Sequence, residues 1–241
     1  MTAPTNVAKN AKYPLQCRGR PHMTAAHVLE ECKRARRSGR VISVQLGDGT
    51  LDLEDRNSVI AFDKAIDIAT FRISEAEVAA LGKTVLRGAQ RQWPPLPPQP
   101  GRGVYFSGFP GIETICTSSR EVCFGAAPGG GIASSVSEYD ISSQIERKHL
   151  LAVLARGLPP ENYDFGGMSG GPMLTVVESS FLRSWSLAGV VYQGPNPSPD
   201  SSSAIAGLEI IRARRAHFIL PDGSLDVQRW NELNATRPAR S

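Results

Sequence analysis

Ser169 stands in the run Phe165-Gly166-Gly167-Met168-Ser169-Gly170-Gly171-Pro172-Met173-Leu174, a hydroxyl among four glycines. Glycine lacks Cβ, so such a run can take positive φ and bring backbone N–H groups close to one point. A serine held there suits acyl transfer, which needs a nucleophile and donors aimed at the oxygen that becomes negative. An isolated Gly-Xaa-Ser-Xaa-Gly is more often a surface turn. The chemical reading therefore requires a base, and a group that orients the base, from elsewhere in the chain.

The elements that must position them read mostly as strands. A chain of 241 residues suffices for one large β domain or two small barrels. Alternation or short apolar runs predict strands over 41–46, 51–53, 58–62 and 67–73, with a short helix around Glu75 to Leu81. Residues 22–32 give a short apolar approach to His27 and then one helical turn. The run Trp93-Pro94-Pro95-Leu96-Pro97-Pro98-Gln99-Pro100 is extended and cannot enter a central sheet, because proline locks φ and lacks a donor. With strand-rich sequence on both sides, it reads as a linker. Beyond it, strands are expected over 103–109, 113–117, 121–125, 132–137, 149–155, 172–177 and 186–192. Leu208 to His217 has helical spacing, with Ile210, Ile211 and Phe218 on one side and arginines on the other.

Composition narrows the classes. Net charge is +4, and the basic residues gather at Lys33, Arg34, Arg36, Arg37 and Arg40 and at Arg212, Arg214 and Arg215. No aromatic residues interleave with either cluster, so solvated faces are expected rather than a nucleic-acid surface. No stretch is long enough to span a membrane and no leader pattern opens the chain, so a cytoplasmic protein is expected as written, or a periplasmic or secreted one if an upstream segment precedes it. The four cysteines, Cys17, Cys32, Cys116 and Cys123, match no zinc spacing. Cys116 and Cys123 could lie on neighbouring strands and pair, but reduced thiols are expected in a cytoplasmic chain. No metal or organic cofactor is implied.

Thr24-Ala25-Ala26-His27, Asp67-Ile68-Ala69 and Gly167-Met168-Ser169-Gly170-Gly171-Pro172 together resemble the three catalytic segments of the trypsin-like (chymotrypsin-fold) serine proteases, in particular the bacterial trypsin-like peptidases. Order and gaps suit that family, and the resemblance runs from about His22 to Gly194. It implies an all-β protein of two six-stranded-type barrels with a C-terminal helix. The expected divisions are an N-terminal arm (1–21), a first barrel with His27 and Asp67 (22–92), the linker (93–102), a second barrel with Ser169 (103–207), a helix and extension (208–233) and a disordered tail (234–241). The expected activity is peptide-bond hydrolysis, a hydrolase acting as a serine endopeptidase. Residue chemistry fits these roles. Neutral imidazole at His27 is a natural base for the Ser169 hydroxyl, and Asp67 would fix its tautomer and stabilise the imidazolium. The resemblance also assigns the oxyanion hole to the N–H groups of Gly167 and Ser169. It makes Leu187-Ala188-Gly189-Val190-Val191-Tyr192-Gln193-Gly194 the strand that pairs with a peptide or protein substrate, with Val191, Tyr192, Gln193 and Gly194 at the contact and Tyr163 at the base of the primary specificity pocket.

The departures from the family pattern are specific. Met168 replaces the usual Asp or Asn, which removes activation by a buried N-terminal ammonium. Tyr163 is not acidic, so no preference for Lys or Arg follows. Val28 replaces a common cysteine. Only 26 residues precede His27. They can supply one strand at best, weakened by Pro21, so either the first barrel is incomplete or the start lies further upstream. Three other readings compete. An α/β-hydrolase would use Ser169 with Asp200 and His217 but needs a helix after the serine, where a strand is expected. A catalytically inactive trypsin-like domain would bind peptides or proteins without turnover. A basic binding module would rely on Arg34, Arg36 and Arg37.

Overall fold

The computed structural model describes residues 20–39, 44–46, 49–51, 58–80, 93–118, 121–150, 163–179, 182–195 and 209–236. The first part of the chain contributes β1 (Arg20–Thr24), α1 (Ala26–Arg37), β2 (Val44–Leu46), β3 (Gly49–Leu51), β4 (Val59–Asp63), β5 (Ile68–Ile73) and α2 (Glu75–Ala80). Strands β1, β5 and β4 form an antiparallel sheet in that order, and β2 and β3 form a separate hairpin. Pro21 is tolerated because β1 is an edge strand among the described elements, where a missing N–H breaks one ladder only.

The remainder is dominated by a closed barrel. Its strands are β6 (Gly103–Gly108), β9 (Ala127–Val136), β10 (Asp140–Leu150), β11 (Pro172–Ser179), β12 (Leu182–Gln193) and β13 (Ile210–Arg215), with the hairpin β7 (Thr114–Ser118) and β8 (Glu121–Phe124) inserted after β6. The barrel closes in the order β10-β13-β12-β11-β6-β9. Closure gives each barrel strand a neighbour on both sides, and inward-facing residues at every second position fill the interior. These include Val104 and Phe106 of β6, Ile141 and Ile145 of β10, Met173 of β11, and Ile211 and Ala213 of β13. A helix, α3 (Val227–Ala235), follows the barrel.

Strand β5 explains how the two parts meet, because both of its faces are buried. Ala69 and Phe71 pack with Leu29 of α1. On the opposite face Ile68, with Ile66 just before the strand, packs against Val190, Phe218 and Ile219 of the barrel side, with Trp230 and Leu233 of α3 against the same cluster. The buried Thr70 hydroxyl, on that face, donates to the Gly223 carbonyl at 2.6 Å. The linker is tied to the same region, since Trp93 Nε1 donates to the Ile219 carbonyl at 2.6 Å.

The architecture is thus mostly β, with one closed six-stranded barrel and a second, three-stranded sheet. Several expectations are corrected. Residues 210–215 are a strand and not a helix, because Ile211 and Ala213 alternate into the barrel while the backbone pairs with both β10 and β12. The C-terminal helix lies later, over 227–235, so it continues into the stretch expected as a tail. The single turn after His27 is a 12-residue helix. Leu29 anchors it on the sheet, and Arg34, Arg36 and Arg37 lie in its last turn, where cations complement the helix dipole. Strand β9 starts at Ala127 rather than Ile132, since Gly129 to Gly131 pair with β6 instead of turning. The register puts Cys116 opposite Val122 and Cys123 opposite Ile115. Pairing of those two thiols lies outside the described side chains, as does Cys17. Among the described residues no helix is long and apolar enough to cross a membrane, and no cluster of His, Cys, Asp or Glu could hold a metal ion.

Candidate active site

His27 sits in the first turn of α1, where backbone N–H groups have no partner within the helix. Ala25, the N-cap residue, offers no side-chain acceptor. The Asp67 carboxylate supplies one from outside. Its Oδ1 accepts the His27 backbone N–H at 2.9 Å, while its Oδ2 lies 2.8 Å from His27 Nδ1. One carboxylate thus fixes both the backbone and the ring. With Nδ1 as the donor, Nε2 is left as an acceptor. The His27 side chain is 45% exposed and that of Asp67 18%, so the imidazole is open and its partner sheltered.

Asp67 reaches this position through an unusual backbone, with φ +60°. Asp is among the few residues that tolerate this region. The turn before it is shaped by Asp63, whose Oδ1 accepts the N–H groups of Ala65 and Ile66, both at 2.8 Å. Ile66 is fully buried, which anchors the residue that precedes the acid.

Ser169 lies in the loop between residue 163 and β11. The loop is held from inside the barrel by Phe165 and Met168, both buried. Met168 is therefore a core anchor of the loop. The loop is also laced to β12. Gly170 N donates to the Val191 carbonyl at 2.7 Å and Val191 N to the Gly171 carbonyl at 2.8 Å. Gly170, at φ +93°, lies so close to Thr24 and Ala25 that an added Cβ would overlap the Thr24 hydroxyl and stand 3.3 Å from Ala25 N. The serine loop is thereby seated on the residues that lead into His27.

The donors are arranged by a second contact. Gly111 N donates to the Gly166 carbonyl at 2.7 Å. In a planar trans peptide the carbonyl and the next N–H point in opposite directions, so this bond turns the Gly167 N–H away from Gly111. Among the described residues, the N–H groups of Gly167 and Ser169 donate to no protein acceptor. Gly167 has φ +98°, and a Cβ there would stand 2.9 Å from Gly111 N. The Ser169 hydroxyl donates to the Tyr192 carbonyl at 3.3 Å rather than to His27.

The residues expected at the substrate contact divide. Tyr163 is buried in the barrel core, its ring edge-on to Phe165 at 4.8 Å and its hydroxyl donating to Glu113 Oε1 at 2.8 Å. It is a core residue capped by a carboxylate. Val191 is likewise fully buried. Tyr192 is half-buried, Gln193 is exposed, and Gly194 backs onto the Phe165 carbonyl. The β11–β12 ladder ends at the Pro172–Val190 pair, so beyond Val191 that edge of β12 has no ladder partner among the described strands.

The α/β-hydrolase alternative fails on its own requirement, because Ser169 is followed by strand β11. Its candidate base, His217, is 4% exposed in a short 3₁₀ turn, and Asp200 lies outside the described residues. Thr24 was legible only as part of the segment leading into His27, and nothing in the sequence assigned it or Gly111 a part in seating the serine loop and turning the peptide. Arg214 was visible only as part of a basic cluster, yet it is buried, as is Arg215. In the other cluster Lys33, Arg34 and Arg37 are exposed: Arg34 pairs with Glu31, and Lys33 lies over the Phe62 ring at 4.7 Å. No protein-family model and no curated protein matches this chain.

Proposed function

We propose that this chain is a serine endopeptidase of the trypsin-like type, with its three-stranded sheet as part of a first barrel and its closed barrel as the second. The observation that carries the reading is the Asp67 carboxylate gripping both His27 Nδ1 and the His27 backbone N–H, at 2.8 and 2.9 Å. A carboxylate used only to cap α1 has no need of the imidazole. In the proposed reaction His27 Nε2 takes the Ser169 proton as Oγ bonds to the scissile carbonyl carbon. The Gly167 and Ser169 N–H groups receive the oxyanion. The C–N bond then breaks as His27 returns the proton to the leaving amine, and water hydrolyses the acyl-enzyme by the same route. Gln193 and Gly194 lie at the end of β12, where its β11-side edge has no ladder partner among the described strands, and this suits a substrate that adds as a strand.

A fluorophosphonate probe tests this, because it esterifies a serine whose proton can be withdrawn. Wild type should be labelled, and Ser169→Ala and His27→Ala should not. The Ser169–Tyr192 hydrogen bond favours a second reading, a domain that binds peptides without turnover, since the hydroxyl is turned from the base. At 3.3 Å that bond is long for O–H···O, and rotation about one side-chain bond redirects it. Absence of labelling in folded wild-type protein would select the second reading.

A further inference from the structure

Arg214 is a buried cation, 8% exposed, on a strand of the closed barrel. Its guanidinium carbon lies 4.6 Å from the Tyr192 ring centroid and 4.8 Å from that of Trp230, so α3 and β12 clamp it from two directions. Stacking on aromatic faces compensates a desolvated guanidinium and fixes its plane. Held this way, Nε donates to the Ile66 carbonyl at 2.7 Å, across the junction between barrel and sheet. A charge-assisted bond of this length restricts the orientation of the Ile66–Asp67 peptide. Tyr192 is restrained in turn, since its hydroxyl donates to Asp140 Oδ2 at 3.1 Å.

We propose that Arg214 is a positioning residue that sets the Asp67 carboxylate against His27 by holding the Ile66 carbonyl, with its aim fixed by Tyr192 and Trp230. The proposal rests on the reading of Asp67 as the acid of a catalytic triad. A residue at φ +60° keeps that conformation only when its surroundings over-determine it. Asp63 fixes the N–H side of the turn and Arg214 the carbonyl side. Tyr192 extends the link to the nucleophile, because its carbonyl accepts the Ser169 hydroxyl. Helix α3, far along the chain from all three triad residues, acts on the site through Trp230.

The experiment compares wild type, Arg214→Met, Arg214→Lys and Trp230→Ala by two readouts. One is the rate of fluorophosphonate labelling. The other is the hydrogen-bonded Nδ1–H resonance of His27 in ¹⁵N-histidine-labelled protein, which reports tautomer and ring orientation without turnover. Arg214→Met should slow labelling about tenfold or more and weaken or lose the Nδ1–H resonance while backbone amide dispersion stays native. Arg214→Lys should recover part of both, because it restores a donor without the planar fork. Wild-type labelling rate and resonance in folded Arg214→Met would overturn the inference. Should Arg214→Met not fold, Trp230→Ala carries the same two expectations and the same overturning result. A wild type that resists the probe, yet whose Nδ1–H resonance is lost in Arg214→Met, would refute the peptidase reading and uphold the positioning role.

Discussion

Asp67 serves two acceptor functions with one carboxylate, which gives its replacement by asparagine a specific consequence. The amide oxygen can still accept the His27 backbone N–H, so α1 should remain capped and the protein folded. The amide NH₂ would then face Nδ1 as a donor and favour the wrong imidazole tautomer. Labelling of Ser169 in Asp67→Asn should fall by about 10⁴, with near-native thermal stability. A loss explained entirely by unfolding would contradict the assignment. Gly167 gives a second prediction at this scale. An alanine there is strained at φ +98° and meets Gly111 N, so the peptide that presents the Gly167 N–H must turn. Gly167→Ala should cost about 10²–10³ in labelling rate while Ser169 stays in place. The pairing of His27 with Asp67 was legible because an imidazole and a carboxylate are natural hydrogen-bond partners. The φ of Asp67 and the bond from Gly111 were not, because they arise from neighbours brought together only by the fold.

Strand β5 was legible as an element, but what its two faces meet was not. Strand β5 alternates cleanly in sequence, but both of its sides are buried, one against α1 and one against the barrel junction. The stretch before His217 misled as an element. Its arginines looked like a solvated helical stripe, whereas Arg214 and Arg215 are buried in β13, one between aromatic rings and one paired with Glu138 at 3.3 Å. The helix sits further on, started by Asp226, whose carboxylate accepts the Arg229 N–H at 3.0 Å. That cap makes a prediction about the element alone. Asp226→Ala should lower stability by about 1 kcal/mol, seen as a Tm decrease of roughly 2–4 °C, with faster hydrogen exchange concentrated in 227–235. Uniform loss of protection across the barrel would show that α3 is not an independently fraying element.

At the scale of the molecule, the junction between sheet and barrel contains a group that makes folding sensitive to acid. His217 lies beside Phe218, their rings 4.2 Å apart, and neither of its ring nitrogens has a hydrogen-bond partner among the described residues. Burial foremost, then the charges of Arg215 and Arg229, hold its pKa down at about 4, against the opposing influence of Glu138 and Asp226. The unfolded chain therefore takes up this proton near pH 6.5, while the folded chain resists it until about pH 4. The sign follows: stability from His217 is complete above about pH 6.5, declines as pH falls through the interval, and levels off below about pH 4. The loss should amount to about 2 kcal/mol once solvent screening is allowed for. His22 shifts in the same direction through burial, so it adds to the decline. Phe218 and Ile219 pack on Ile66, which leads into Asp67, so acid should loosen the site as well as the fold. His217→Phe keeps an aromatic ring at this position without a titrating group. Its Tm should fall less steeply than that of wild type between pH 6.5 and 4.5, with the two curves converging on a constant offset above pH 7. Parallel curves through the acid range would assign the acid sensitivity to other groups.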